Sequence, residues 1–83
     1  MERIDALRRY LVQELIRDPD IELAHDEAIF SSGLLDSFSV TRLITFLEDE
    51  YRVRVPIAQV TLQDFDTMDL ILALVSRLES TPA

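Results

Sequence analysis

Eighty-three residues with 48% hydrophobic content and a net charge of −8 fit one small domain with enough apolar side chains for a core. The absence of cysteine excludes disulfides, thiolate metal sites and a thiol nucleophile. So acidic a chain is also a poor partner for nucleic acid, because a polyanion would be repelled.

The first residues, Met1-Glu2-Arg3-Ile4-Asp5, are charged and lack the apolar stretch of a signal peptide. No apolar run approaches the roughly 20 residues that a membrane-spanning helix needs. The expectation is a soluble, cytoplasmic, monomeric domain covering residues 1–83. Its charge is unevenly spread. Residues 18–50 hold nine acids against Arg42 alone, so the net negative charge of the chain is concentrated there. Acidic surface keeps small domains soluble, but this focus would also steer a basic protein surface toward the middle of the chain.

From about Glu2 to Arg17, Ile4, Leu7, Leu11 and Leu15 recur at helical spacing and predict an amphipathic helix. Asp18-Pro19-Asp20 ends it, since the residue before a proline avoids helical geometry. Residues 18–35 form a long connection whose Ile21, Leu23, Ile29 and Phe30 are expected to fold back onto the core. A second helix is predicted from Ser37 to about Tyr51, with Val40, Leu43, Ile44, Leu47 and Tyr51 facing inward. At about 100° per residue, Phe38, Arg42, Thr45 and Asp49 share its outward face. Residues 57–66 are expected to hold one short turn of helix. Val53 and Val55 alternate like a brief strand, but no second strand is evident to pair with them. The last helix opens at Thr67 as N-cap and buries Met68, Ile71, Leu72, Val75 and Leu78. Residues 80–83 read as a frayed tail. The pattern is all-α: three main helices and a short one in a small bundle, with a long loop between helices 1 and 2.

The residue that stands out is Ser37, in the run Gly33-Leu34-Leu35-Asp36-Ser37-Phe38 at the start of the second helix. A serine nucleophile needs a base within reach and donors for an oxyanion. The only histidine, His25, lies twelve residues upstream in the loop, and there is no lysine. The Gly-x-Ser-x-Gly elbow is missing, and Glu48, Asp49 and Glu50 fan out around a helix end. No catalytic residues are assigned. With no second His or Cys to share an ion, His25 reads as a loop residue and no metal site is assigned.

Two readings of Ser37 remain. Asp36 and Ser37 are ordinary capping residues before an apolar helix. Equally, an anionic group linked to Ser37 would sit where free helix N–H groups and the dipole favour it. Phe38 on the outward face is hard to explain as core and easy to explain as a contact for a partner.

The same run resembles the Gly-x-x-Asp-Ser-Leu attachment motif of phosphopantetheine-dependent carrier proteins. The resemblance continues through Leu43-Ile44-Thr45-Phe46-Leu47-Glu48-Asp49-Glu50-Tyr51, Val55-Pro56 and Phe65-Asp66-Thr67-Met68, covering nearly the whole chain. It implies a four-helix bundle of the acyl-carrier type with no catalytic activity of its own. A phosphopantetheinyl transferase would link the 4′-phosphopantetheine arm of coenzyme A to the Ser37 hydroxyl. The arm's terminal thiol would hold an acyl or aminoacyl group as a thioester, presented to a loading enzyme and a downstream transferase or synthase. Asp36 maps onto the motif's aspartate, with an implied role in transferase recognition. Phe38, Arg42, Thr45 and Asp49 would face partners.

Some positions depart from the fatty-acid carriers of that family. Phe38 replaces the commoner leucine, Arg42 stands where those carriers have an acid, and Ile57 follows Val55-Pro56 where they tend to be acidic. Arg42 would oppose docking to basic enzyme surfaces by like charge. The runs Gly-Leu-Leu-Asp-Ser-Phe and Val-Pro-Ile look more like stand-alone D-alanyl and related aminoacyl carriers. The expectation is therefore an aminoacyl or specialised-pathway carrier. The alternatives are a fatty-acid or polyketide carrier and, from another class, an unmodified acidic helical module that docks a partner.

Overall fold

The computed structural model describes residues 3–18 and 20–80, and among them every regular element is helical. Helix α1 spans Arg3–Tyr10 and runs directly into a π-helical segment, Leu11–Ile16. Leu7 and Leu11 are fully buried, with Ile4 and Leu15 packed at the margin. The segment ends at Arg17, which turns into the left-handed region at φ 61°. Both Arg17 and Asp18 donate their N–H to the Val12 carbonyl. The helix thus stops two residues before Asp18, the position whose helical geometry the following proline disfavours. Pro19 and Glu2 lie outside the described residues.

Helix α2 spans Ser39–Tyr51, beginning two residues later than the hydrophobic pattern predicted. Leu43, Ile44 and Leu47 are buried, while Val40 and Tyr51 pack at the edge of the core. Arg52, at φ 55°, closes the helix, and the Glu48 carboxylate accepts the Val55 N–H at 2.9 Å. That bond folds the chain back so that Val55 is buried in the core rather than paired in a strand.

The short fourth helix expected in residues 57–66 is two 3-10 turns, Ile57–Gln59 and Leu62–Phe65. Val60 and Thr61 between them are extended, a conformation that β-branched side chains favour, so the turns cannot merge into one helix. Phe65 at the end of the second turn is buried. Helix α3 spans Met68–Ser80, with Thr67 Oγ1 accepting the Leu70 N–H at 3.0 Å as the predicted cap. Ser80 ends this helix, and the rest of the expected tail lies outside the described residues. Leu74, absent from the predicted stripe, is buried, whereas Leu72 is only partly covered. On the helical wheel Leu74 lies about 60° from Ile71 and Leu72 about 100°, so the inward arc takes Leu74.

The long connection is held down at particular points. Ile29 donates its N–H to the Asp66 carbonyl at 2.6 Å. The Asp66 carboxylate accepts the N–H of Phe30 at 2.8 Å, the N–H of Ser31 at 2.9 Å and the Ser31 hydroxyl at 2.7 Å. These donors, those of Ser31 first, hold the Asp66 carboxyl below the usual carboxylate range. Farther back, Arg8 Nε donates to the Leu23 carbonyl, and His25 Nδ1 meets Asp69 Oδ2 at 2.6 Å. The Asp69 carboxylate raises the His25 pKa above its ordinary 6.5, mainly through that hydrogen bond. Leu23, Ile29 and Phe30 are buried as expected, whereas Ile21 is only partly covered.

Candidate functional site

The loop reaches the start of α2 through a tight turn. Gly33 adopts φ +89°, a left-handed geometry in which a side chain would be strained, and donates its N–H to the Phe30 carbonyl. Leu35 then donates to the Ile29 carbonyl at 3.0 Å and buries its side chain. With Leu35 anchored in the core, the next residues emerge at the surface directly over α2.

Asp36 Oδ1 accepts the N–H groups of Phe38 at 3.1 Å and Ser39 at 3.3 Å, and the Asp36 carbonyl accepts Ser39 as well. The side-chain cap of α2 is therefore Asp36. Ser37 belongs to the turn ahead of the helix, and its carbonyl accepts the Val40 N–H. This corrects one expectation: the N–H groups nearest Ser37 are not free for an anion, because the Asp36 carboxylate already occupies them. Replacing Asp36 by Ala is expected to lower stability by about 0.5–2 kcal/mol, while Asp36→Asn stays near wild type, since an amide oxygen also caps. Chemical denaturation of the two variants checks this.

The Ser37 side chain is exposed, and among the described residues no hydrogen bond engages its hydroxyl. Two residues on, the Ser39 hydroxyl is half-buried and donates to Asp36 Oδ1 at 3.4 Å. The two serines of the motif region are thus chemically unequal. Beside Ser37 lies a slot of about 200 Å³ between α2 and the 3-10 turns, lined by Val40, Ile44, Ile57, Val60, Thr61, Leu62 and Phe65. Its walls are almost entirely apolar, and the serine stands at its edge.

The outward face of α2 is as the periodicity placed it. Phe38 is 85% exposed, and Arg42, Thr45 and Asp49 are all exposed. The last three border one groove of about 420 Å³ between α1 and α2, together with Tyr10, Thr41, Phe46 and Glu50. Tyr10 forms the groove's far wall by stacking on Phe46 at 4.1 Å and donating its hydroxyl to the Arg42 carbonyl. Burial raises the Tyr10 pKa, the opposing pull of Arg42 being weaker. Phe38 and Ser37 lie toward the other end of the helix. So exposed a Phe38 contributes little to the fold. Phe38→Ala is expected to move stability by no more than about 0.5 kcal/mol, read from a thermal melt.

Sequence reasoning missed one contributor, Asp66, which fixes the loop ahead of Ser37 from more than 30 residues away and so carries no local signal. Ile57 was read only as a departure from acidic carriers, and the structure places it on the slot that Ser37 borders.

Comparison with known proteins agrees with this geometry. Residues 5–75 match the family described as "Phosphopantetheine attachment site". The chain is 31% identical over 70 residues to the D-alanyl carrier protein of Streptococcus sanguinis, covering 84% of this chain and 87% of that protein. It is 31% identical over 77 residues to the D-alanyl carrier protein of Streptococcus uberis, covering 93% and 90%. A third D-alanyl carrier protein, from Lactobacillus acidophilus, is 31% identical over 61 residues, covering 74% and 77%. No solved structure matches the chain. Members of such a family carry groups between enzymes and do not catalyse the chemistry themselves. An exposed, unengaged hydroxyl beside an apolar slot fits a covalent arm that must swing between partners. The chain belongs to the phosphopantetheine-dependent carrier proteins and bears a covalent 4′-phosphopantetheine arm.

Proposed function

We propose that Ser37 is the residue that bears the arm and that the cargo is an aminoacyl group. The observation that carries the first part is the hydroxyl itself, exposed and unbonded at the tip of a turn that Gly33, Leu35 and Asp36 hold in place. Attachment joins the Ser37 oxygen to the arm's phosphorus and breaks the pyrophosphate bond of coenzyme A. The hydroxyl proton passes to the transferase, and adenosine 3′,5′-bisphosphate leaves. When bound, the arm supplies the thiol that this chain lacks, and the thiol holds the cargo as a thioester.

The aminoacyl reading rests on the relatives, each named a D-alanyl carrier protein, and on Arg42 and Ile57, which depart from an acidic docking face. In this reading Asp36 supports recognition by the phosphopantetheinyl transferase. Phe38, Arg42, Thr45 and Asp49 form the face met by the transferase, the loading enzyme and the downstream acceptor enzyme. The protein works as a monomeric single domain in the cytoplasm, where coenzyme A is available as donor of the arm. Among the described residues no helix is long and apolar enough to cross a membrane.

The test is intact-protein mass after incubation with coenzyme A, Mg²⁺ and a broad-specificity phosphopantetheinyl transferase. One added arm is expected, on the tryptic fragment spanning residues 18–42. Fragmentation then separates Ser37 from Ser31, Ser32, Ser39 and Thr41. An unmodified chain, or an arm on another of these residues, would overturn the assignment. Loading follows from the arm: D-alanine is expected to form a hydroxylamine-sensitive thioester with a D-alanine-activating enzyme, and a carrier charged only with fatty acyl groups would refute the cargo.

A further inference from the structure

The chain's only histidine lies in the long loop, as its sequence position implies, but it is not free there. A turn closed by the Glu27 N–H on the Ala24 carbonyl presents His25 to the first turn of α3. Two bonds then join it to Asp69. The ring Nδ1 meets Asp69 Oδ2 at 2.6 Å, and the His25 carbonyl accepts the Asp69 N–H at 3.0 Å. The stretch so held begins after Arg17, whose left-handed φ of 61° ends the first helical segment. It finishes at Ile29, whose N–H is fixed on the Asp66 carbonyl. Between those points Leu23 buries its side chain, and its carbonyl accepts Arg8 Nε at 3.1 Å.

Three charged groups act on the ring. Asp69 from α3 and Asp26 from the loop favour the imidazolium, while Arg8 from α1 opposes it and is itself paired with Asp5 at 3.7 Å. The bond to Asp69 dominates, so the ring stays charged beyond its ordinary 6.5. The contact is then an ion pair as well as a hydrogen bond, and loss of the proton removes the charge attraction. Its contribution is complete below 6.5 and is lost as the pH rises through the raised value. Asp66, three residues before Asp69, responds differently: its carboxylate is ionised throughout the neutral range. The two anchors of one loop at the entry to α3 therefore part company as the medium turns alkaline. We propose that His25 and Asp69 form a proton-controlled latch on residues 20–28, closed while the imidazole is charged and loosened when it is neutral. The Asp66 anchor meanwhile keeps the turn ahead of Ser37 in place. Arg8 stays charged and retains its bond to Leu23, so the loosening is local. The latch goes beyond the carrier role and holds whichever residue bears the arm.

The test is NMR of the full chain as wild type, Asp69→Asn and His25→Gln, with the His25 ring titrated and amide exchange compared at a mildly acidic and a mildly alkaline pH. The ring is expected to titrate above 6.5 in wild type and to move back toward 6.5 in Asp69→Asn. Corrected for intrinsic exchange, protection of the Asp69 N–H should fall about threefold at the alkaline pH, the size expected of one exposed ion pair. In His25→Gln that protection should be the same at both, and the Ile29 N–H should keep its protection in every sample. Should Asp69→Asn prove unfolded, His25→Gln decides alone. The latch is overturned by identical ring titrations in wild type and Asp69→Asn, by Asp69 protection that ignores pH, or by a fall that persists in His25→Gln. Equal loosening at Ile29 would overturn its confinement to residues 20–28.

Discussion

Ser37→Ala is expected to abolish arm attachment completely while leaving the fold unchanged. The two halves of that result have separate causes. Attachment needs an oxygen nucleophile at this position, and the nearest substitute, Ser39, is half-buried with its hydroxyl committed to Asp36. The fold, by contrast, uses only the backbone of Ser37, whose carbonyl accepts the Val40 N–H and is untouched by the change. From the sequence, an Asp–Ser helix start would lose a cap worth about 0.5–2 kcal/mol. The structure removes even that cost, because Asp36 provides the cap. The expected change in stability is within about 0.5 kcal/mol, as for exposed positions generally. Intact mass and a denaturant melt of the same sample check both halves. A variant that still gains one arm would move the site to another hydroxyl, and a variant that functions fully without an arm would favour the unmodified docking module.

The largest loss of stability outside the apolar core is expected at Asp66. Its carboxylate takes three donors from residues 30 and 31, and its carbonyl takes a fourth from Ile29. Asp66→Ala removes the shared acceptor of the Phe30 and Ser31 N–H groups and is expected to cost about 2 kcal/mol, or roughly 8–16 °C in Tm for a domain of this size. The dependence on pH carries a definite sign. Because the donors lower the folded-state pKa, the stabilisation is fully present above the ordinary carboxylate pKa of 3.8. It is lost as the pH falls through the lowered value, when the protonated carboxyl can no longer accept every donor. Wild type should therefore lose stability on acidification below about pH 4 more steeply than Asp66→Asn, which has no such titration. Parallel acid-denaturation curves for the two would show that the carboxylate does not pin the loop. The functional consequence follows from the turn at Gly33. A released loop no longer fixes Leu35, and Asp66→Ala should slow arm attachment although Asp66 does not line the slot beside Ser37.

What the sequence determined was local. A 3.6-residue period told which faces of three helices turn inward, and it put Phe38, Arg42, Thr45 and Asp49 outward, where they are found. The capping chemistry of Thr67 and the interruption at Asp18-Pro19 are also written in neighbouring residues, and they placed two helix ends within a residue or two. Ser37 stood out as a candidate because its run resembles an attachment motif and lies beside an outward aromatic residue. Only the tertiary structure decided which distant groups meet. Asp66 reaches back 35 and 36 residues to Ser31 and Phe30, and Asp69 reaches 44 to His25. Tyr10 stacks on Phe46 across two helices, and Ile57 lines the slot that Ser37 borders. Local periodicity fixes the direction of a side chain from its own helix but not the partner that packing brings to it. Capping competes in the same way, since Asp36 and Ser37 are both good caps by type. The path of the chain after Leu35 decided that the aspartate turns inward to the helix and leaves the serine hydroxyl free.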